Sequence, residues 1–150
     1  MSDESRDPKL FTLTEAERTR SQIEPVLLEA MEQRRKLGEV DKQLMEVAHR
    51  VAMMGGVLVT AGKVGGLRSE RQKLTAFLRH SIESIEATGC VLKDLDAGLL
   101  DFPAILGNEE VYLCWRVGED RIRFYHRRDE GFDGRRPLDP RDAGPAPPVH

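Results

Sequence analysis

The longest regular pattern of apolar residues in the chain runs from residue 16 to residue 54. When Ala16 is placed at position a of a heptad, ten of the twelve a and d positions from Ala16 to Met54 are apolar. The residues between them are mostly Glu, Arg, Lys and Gln. This pattern predicts a long amphipathic helix. Thr12 and Glu15 stand at the spacing of a capping box, so we expect the helix to begin there and to kink at Pro25.

A second, shorter helix is predicted from about residue 67 to residue 87. Gly55-Gly56 is expected to end the first helix, and a flexible connection is expected over residues 60–66. Two helices joined by a loop form an antiparallel hairpin. Because the second arm is about half as long as the first, part of the first helix's apolar stripe stays uncovered. We therefore expect a partner there, either a second copy of the chain in a homodimer or the folded-back C-terminal segment. The apolar side of the second helix is predicted to hold Leu74, Phe77, Leu78, Ile82 and Ile85.

The C-terminal third changes to a period of two, which is typical of β-strands. Apolar residues alternate with polar ones from Val111 to Val117 and again around Ile122. Opposed residues of an antiparallel hairpin share a face, so an even loop is needed to align the two apolar sets. We predict a two-residue turn at Glu119-Asp120. The predicted pairs are Val117 with Ile122, Trp115 with Phe124, and Leu113 with His126.

In this register one face of the hairpin packs on the helices and the other faces a partner. The packing face holds Leu113, Trp115, Val117, Ile122 and Phe124. The segment Cys90–Asp94 is expected to add a third strand. The predicted fold class is therefore α+β, a long antiparallel helical hairpin plus a small three-stranded antiparallel sheet. The predicted partner-facing residues are Tyr112, Arg116, Arg123 and Tyr125, with Cys114 on the same face.

The predicted organisation has four parts: a disordered N-terminus (1–9), a helical hairpin (10–88), a small β subdomain packed on the helices (89–138) and a disordered tail (139–150). The chain has 150 residues, of which 33% are charged, and a formal net charge of −3. That charge argues against nucleic acid as the main partner. The absence of a long apolar run or a leader argues against a membrane and for the cytoplasm. Cys90 and Cys114 are expected to be buried thiols.

Eight short segments of the chain carry a further signal: Leu10–Ala16, Gly55–Val59, Gly98–Ala104, Val111–Arg116, Gly118-Glu119, Ile122–His126, Glu130–Arg135 and Pro137-Leu138. Together they resemble the domain-of-unknown-function family 2203. They span nearly all of residues 9–138, with Tyr125 standing where a Trp is expected. The resemblance implies soluble bacterial proteins with a helical hairpin and a small sheet, and it implies no activity.

His126 is the first candidate site residue. With the carboxylates of Glu130, Glu119 and Asp101 it would offer the ligands of a divalent metal or the groups of an acid–base enzyme. The spacing matches no known zinc motif. The alternative is a structural histidine that bonds a backbone carbonyl or Glu130, so the expected cofactor is none, with a divalent metal as the exception.

Two further sites involve arginines. Arg135 and Arg136 lie in a glycine-flanked turn that would present them to an anion such as phosphate, unless Arg135 pairs with Asp101 or Glu130. Residues 121–136 hold six Arg against three acidic residues. With Tyr112 and Tyr125 this face could stack a single-stranded nucleic acid, although a solvated surface is the simpler reading. The leading hypothesis is a non-enzymatic scaffold or interaction module that recognises an unidentified protein or anionic ligand, and a small enzyme is the alternative.

Overall fold

The computed structural model describes residues 9–54 and 61–138. Helix α1 spans Leu13–Met53 and helix α2 spans Ala61–Glu86. Five strands follow: β1 (Val91–Asp94), β2 (Leu99–Leu106), β3 (Glu109–Arg116), β4 (Phe124–Arg127) and β5 (Arg136–Pro137). A short 3-10 turn, Phe132–Gly134, separates β4 from β5. The predictions made for residues 1–8, for Gly55-Gly56 and for the tail after residue 138 lie outside these ranges.

The start of α1 is the capping box that the sequence predicts. Thr12 Oγ1 accepts a hydrogen bond from the Glu15 backbone N–H at 3.1 Å, and Glu15 Oε1 accepts one from the Thr12 N–H at 3.0 Å. These bonds satisfy backbone donors that have no partner within the helix. Phe11, directly before the cap, donates its N–H to Pro103 O at 2.7 Å and meets the Phe102 ring edge-on. The cap therefore also attaches the helix to the sheet.

The two helices form an antiparallel hairpin. Asp41 of α1 pairs with Arg71 of α2 at 2.6 Å, and Ser81 donates to Gln33 at 3.2 Å. Helix α2 is already helical at Ala61, so the predicted flexible connection over residues 60–66 is wrong from Ala61 onward. Glycine lowers helix propensity, but packing of an apolar face outweighs it, and the next turn brings Leu67 into contact with α1. Among the described helices, none carries a stretch both long and apolar enough to cross a membrane.

The apolar residues form two separate clusters along α1. The N-terminal half of the helix, through Ala16, Ile23 and Leu27, packs on one face of the sheet. Among the described residues, the C-terminal half packs through Val40 on Leu67 and Leu74 of α2 in a much smaller cluster. The larger core lies between α1 and the sheet. The sheet does not extend over the C-terminal half of α1, so fewer described residues bury the apolar side chains there. The residues that the sheet and its loops contribute to the larger core are Leu100, Phe102, Ala104, Val111, Leu113, Trp115 and Ile122.

The sheet has five antiparallel strands in the order β1-β2-β3-β4-β5, not the three that the sequence predicts. The predicted third strand is β1, and the additions are β2 and β5. Pro103 lies inside β2. The Pro103 carbonyl accepts from Phe11 on the side away from β3. A residue's N and O point to the same side of a strand, so its missing N–H costs no bond to β3.

The predicted register of the next hairpin is wrong by one residue. The observed pairs are Cys114 with Phe124, Leu113 with Tyr125, and Tyr112 with His126. Strand β4 begins only at Phe124, so the predicted two-residue turn is instead a seven-residue loop over 117–123. A shift of one residue moves every side chain to the other face. Phe124 and His126 therefore lie on the outer face, away from the helices, and Tyr125 lies against the core.

Ile122 explains why the sequence parity misled. It is buried to 4% exposure, as an inward-facing strand residue would be, but it reaches the core from the loop. Its backbone N–H donates to the carboxylate of Glu17 on α1 instead of to a neighbouring strand. Because Ile122 lies in a loop and bonds to a helix side chain, its burial does not indicate the register of the strands.

Candidate functional site

Three chemically different side chains meet on the outer face of the sheet. Asp101 of β2 is paired directly with Cys114 of β3, and His126 of β4 is the cross-strand partner of Tyr112, two residues along. Their potential ligand atoms all lie within 4.8 Å of one another. Each of the three residues is only 2% exposed. We call these three residues the Asp-Cys-His cluster.

The hydrogen bonds of His126 define how protons are placed in the Asp-Cys-His cluster. Its Nδ1 lies 2.9 Å from the Arg127 carbonyl oxygen, which can only accept, so Nδ1 carries a proton. Its Nε2 lies 3.1 Å from Asp101 Oδ2, and one further proton is shared across that contact. Burial raises the pKa of the Asp101 carboxyl, and the neighbouring imidazole offsets part of that rise.

Cys114 is a thiol without nucleophilic activation. Burial, with the charge of Asp101 next, raises its pKa to about 12. A catalytic cysteine needs a base or a cation that lowers its pKa and a path to substrate. Both ring nitrogens of His126 are already engaged, with the Arg127 carbonyl and with Asp101. The arrangement is therefore not that of a cysteine–histidine catalytic pair.

The outer face is covered by the segment that follows β4, residues 128–136, which we call the strap. The Arg135 guanidinium lies 3.9 Å from the Phe124 ring centroid and 4.5 Å from that of Phe132. It also pairs with Glu119 at 2.7 Å. Stacking between two rings, together with one partly buried ion pair, holds the strap against the sheet.

The four predicted metal ligands separate into two groups. Asp101 and His126 are brought together, and Cys114 joins them, a residue that sequence reasoning had set aside as a plain buried thiol. Glu119 is instead held by Arg135 and by the Arg116 N–H, and Glu130 by Arg136 and the Arg127 N–H. Only the observed register could have revealed Cys114, because it places β2, unrecognised in the sequence, beside β3.

The predicted anion-binding residues Arg135 and Arg136 each have an acidic partner, Glu119 at 2.7 Å and Glu130 at 2.9 Å. The alternative that Arg135 pairs with an acid of its own fold is the observed one, although that acid is Glu119. Further arginines of the segment are paired in the same way. Those pairs are Arg123 with Asp120, Arg127 with Glu109, and Arg128 with Glu110. The local positive charge is thus largely matched.

The four predicted partner-facing residues do not share one face. Tyr112 lies on the outer face beside His126 and under Arg128, and Tyr125 packs on the core side. Arg116 lies over the Phe132 ring, and Arg123 belongs to the loop before β4. The one-residue shift of register is the cause, since it separates side chains that parity had placed together.

A second candidate surface lies on the far half of α1. An open groove of about 880 Å³ follows one side of the helix there. Met45 and Met53 in this groove are each 73% exposed, and Met54 is 57% exposed. The sheet packs on the other half of the helix, which leaves these methionines exposed among the described residues. The groove is lined by Gly38, Asp41, Lys42, Met45, Glu46, His49, Arg50, Met53 and Met54.

The described residues thus form an α+β protein, a helical hairpin with a five-stranded antiparallel sheet on the first half of its long arm. The family model of the uncharacterized conserved proteins DUF2203 matches residues 9–138. The chain belongs to that family, as its sequence segments predict. A search of curated proteins and a search of solved structures each found no match.

Proposed function

We propose that the protein is a non-enzymatic interaction module that forms a homodimer through the far half of its helical hairpin. The exposure of Met45 and Met53 supports this most directly. These two side chains, eight residues apart, line the same groove of α1, and none of the described residues covers them. Single exposed apolar residues are common, but a row of them in a groove is typical of an interaction surface.

The charges around the groove favour a second copy as the partner. Asp41 and Glu46 are balanced by Lys42 and Arg50, so the rim has no net charge. A surface of this kind can meet an identical surface without net repulsion, as a two-fold symmetric interface requires. A polyanionic partner would instead favour a surface of one sign. Methionine adds side chains flexible enough to interdigitate.

Two hairpins that meet in this way would form a four-helix arrangement and leave both sheets free. The Asp-Cys-His cluster and the strap would lie at a distance from that interface. In this dimer the helices form the scaffold, and the two sheets lie away from the interface, where they are free to bind a partner.

Sedimentation equilibrium of the full chain tests the proposal. We expect a mass twice the 16.9 kDa of one chain at micromolar concentration. The double variant Met45→Lys/Met53→Lys should sediment as a monomer, because two buried lysines face two more across the two-fold axis. Leu28→Lys is the matched control. Leu28 is an exposed apolar residue of the same helix at 50% exposure, about 25 Å from Met45 along the helix axis.

The control variant should retain the dimer mass. A wild-type protein that remains at the mass of one chain across the concentration range would refute self-association. If the double variant still forms a dimer, the interface lies outside the groove, and the proposed role of the groove is refuted. Circular dichroism checks that each variant keeps its helix content.

A further inference from the structure

The Asp-Cys-His cluster has the composition of a metal site. Its three donors are a carboxylate oxygen, a sulfur and an imidazole nitrogen, held by three adjacent strands of one sheet. Sulfur and imidazole select zinc-type cations, whereas calcium and magnesium prefer sites made of oxygen alone. A rigid sheet holds the three donors close before any ion arrives, which lowers the cost of assembling a site.

The orientation of His126 is a second, independent observation that points to a ligand. Its Nδ1–H donates to the Arg127 carbonyl, which turns Nε2 toward Asp101 and Cys114. Metal-bound histidines usually donate their other ring N–H to a carbonyl or a carboxylate, and this contact fixes their tautomer. The backbone of β4 therefore supplies the supporting contact that a metal-binding histidine needs.

We propose that Asp101, Cys114 and His126 bind one divalent cation of the zinc class, Zn²⁺ or Co²⁺. The proposal does not depend on the homodimer. Tetrahedral zinc with bonds of about 2.0 to 2.3 Å places its donors about 3.5 Å apart. The Nε2–Oδ2 distance is 3.1 Å, and no donor pair exceeds 4.8 Å. The largest adjustment, from 4.8 Å to about 3.5 Å, is thus about 1.3 Å, within reach of a side-chain rotation.

Charge balance inside the sheet is the same before and after the cation binds. Without the metal, the Nε2–Oδ2 hydrogen bond holds one proton and the Cys114 thiol keeps its own. The cation replaces these two protons, leaving a carboxylate, a thiolate and a neutral imidazole that retains the Nδ1 proton. Two negative ligands then match two positive charges, so no unpaired charge is buried. Three protein ligands leave one tetrahedral position for a water or another donor.

Refolding tests the proposal, because the site lies under the strap. The untagged protein is unfolded in a denaturant that contains a chelator. The chelator and any released metal are removed, and the protein is refolded with Co²⁺. We expect one Co²⁺ per chain, a thiolate-to-cobalt charge-transfer band in the near ultraviolet, and release of about two protons per ion in weak buffer. Zn²⁺ should displace Co²⁺ and abolish the band.

The two buried cysteines provide the matched control. Cys114→Ser should abolish the charge-transfer band, and Cys90→Ser should preserve it, since the Cys90 sulfur contacts the Ile85 carbonyl instead of the cluster. Absorption spectroscopy at the zinc edge of the wild-type protein needs no variant, and it should find one sulfur at about 2.3 Å. Failure of the wild type to retain metal, a ligand shell without sulfur, or a band that survives Cys114→Ser would each overturn the proposal.

Discussion

His126 and Asp101 form a hydrogen-bonded pair that spans β3, joining β4 to β2 at 3.1 Å between Nε2 and Oδ2. The two strands are not neighbours, and the contact passes over Cys114 of the strand between them. Both side chains are almost fully buried, at 2% and 3% exposure. A polar pair in this position ties three strands together on the face that the helices do not cover.

The pair predicts that Asp101→Asn changes the free energy of unfolding in opposite directions in the presence and absence of His126. His126→Ala should cost about 3 to 5 kcal/mol, because it leaves the buried Asp101 carboxylate without its imidazole partner. Asp101→Asn should destabilise the wild type but stabilise the His126→Ala variant, where it removes that unpaired charge. Urea unfolding of the four proteins measures the cycle. Equal effects of Asp101→Asn in both backgrounds would show that the two groups are not coupled.

Gly98 is expected to be intolerant of a side chain for steric reasons. It has a φ of 69°, and a Cβ there would lie 2.5 Å from Val117 Cγ1. Gly107 has a similar φ of 62° and open space around it, so Gly107→Ala measures the backbone strain alone. We expect Gly98→Ala to cost about 1 to 3 kcal/mol more than Gly107→Ala in the free energy of unfolding. Val117→Ala should recover part of this difference, and a lack of recovery would contradict the contact.

The two buried thiols predict a loss of stability in alkali for the metal-free protein. Burial raises the pKa of Cys114 to about 12 and that of Cys90 to about 11. An unfolded thiol ionises near pH 8.5, so above that pH the unfolded chain releases protons that the folded chain retains. Stability is then complete below about pH 8.5 and falls as the pH rises toward the folded pKa values.

We expect roughly 1 kcal/mol of lost stability per pH unit and thiol over that range. Urea unfolding at pH 8 and pH 10, in the presence of a chelator, measures the effect. The double variant Cys90→Ala/Cys114→Ala should lose less stability between these two pH values than the wild type. Lysines and tyrosines titrate equally in both proteins, so they cancel in the comparison. An identical decline would refute the assignment to the thiols.

Glu17 is expected to hold the loop before β4 in place. Its carboxylate accepts from the Ile122 N–H and pairs with Arg20, whose guanidinium lies 5.5 Å from the Trp115 ring centroid. Glu17→Ala leaves a partly buried N–H without its acceptor, at a cost of about 1 to 3 kcal/mol. Glu29→Ala, at an exposed position of the same helix, should change stability by less than about 0.5 kcal/mol. Thermal unfolding compares the two, and equal shifts would contradict the role of Glu17.

The helical elements were the most predictable part of this fold. The heptad stripe and the Thr12–Glu15 capping box predict α1 from contacts within the helix itself, at i, i+3 and i+4. The start of α2 was predicted less accurately. Three glycines between residues 60 and 66 suggested a loop, but the helix begins at Ala61 and its Leu67 packs on α1. Propensity yields to tertiary packing in such segments.

The strands show where local pattern is insufficient. The alternation from Val111 to Trp115 correctly predicts the packing face of β3. The partner register was wrong because Ile122, an apolar loop residue, was counted as a strand residue. Glu119 and Glu130 were predicted as ligands because they lie near His126 in sequence, yet each pairs with an arginine. The side chains that meet His126 are Asp101 of β2 and Cys114 of β3.

The sequence by itself determined the long amphipathic helix, its cap, the presence of a β region and the membership of the family. Each of these depends on residues close together in the chain, whose spacing repeats with the period of the element. Only the tertiary structure decided which side chains meet His126 and which half of α1 packs on the sheet. Both depend on strand order and register, and a one-residue shift, invisible in local sequence, exchanges the two faces of a strand.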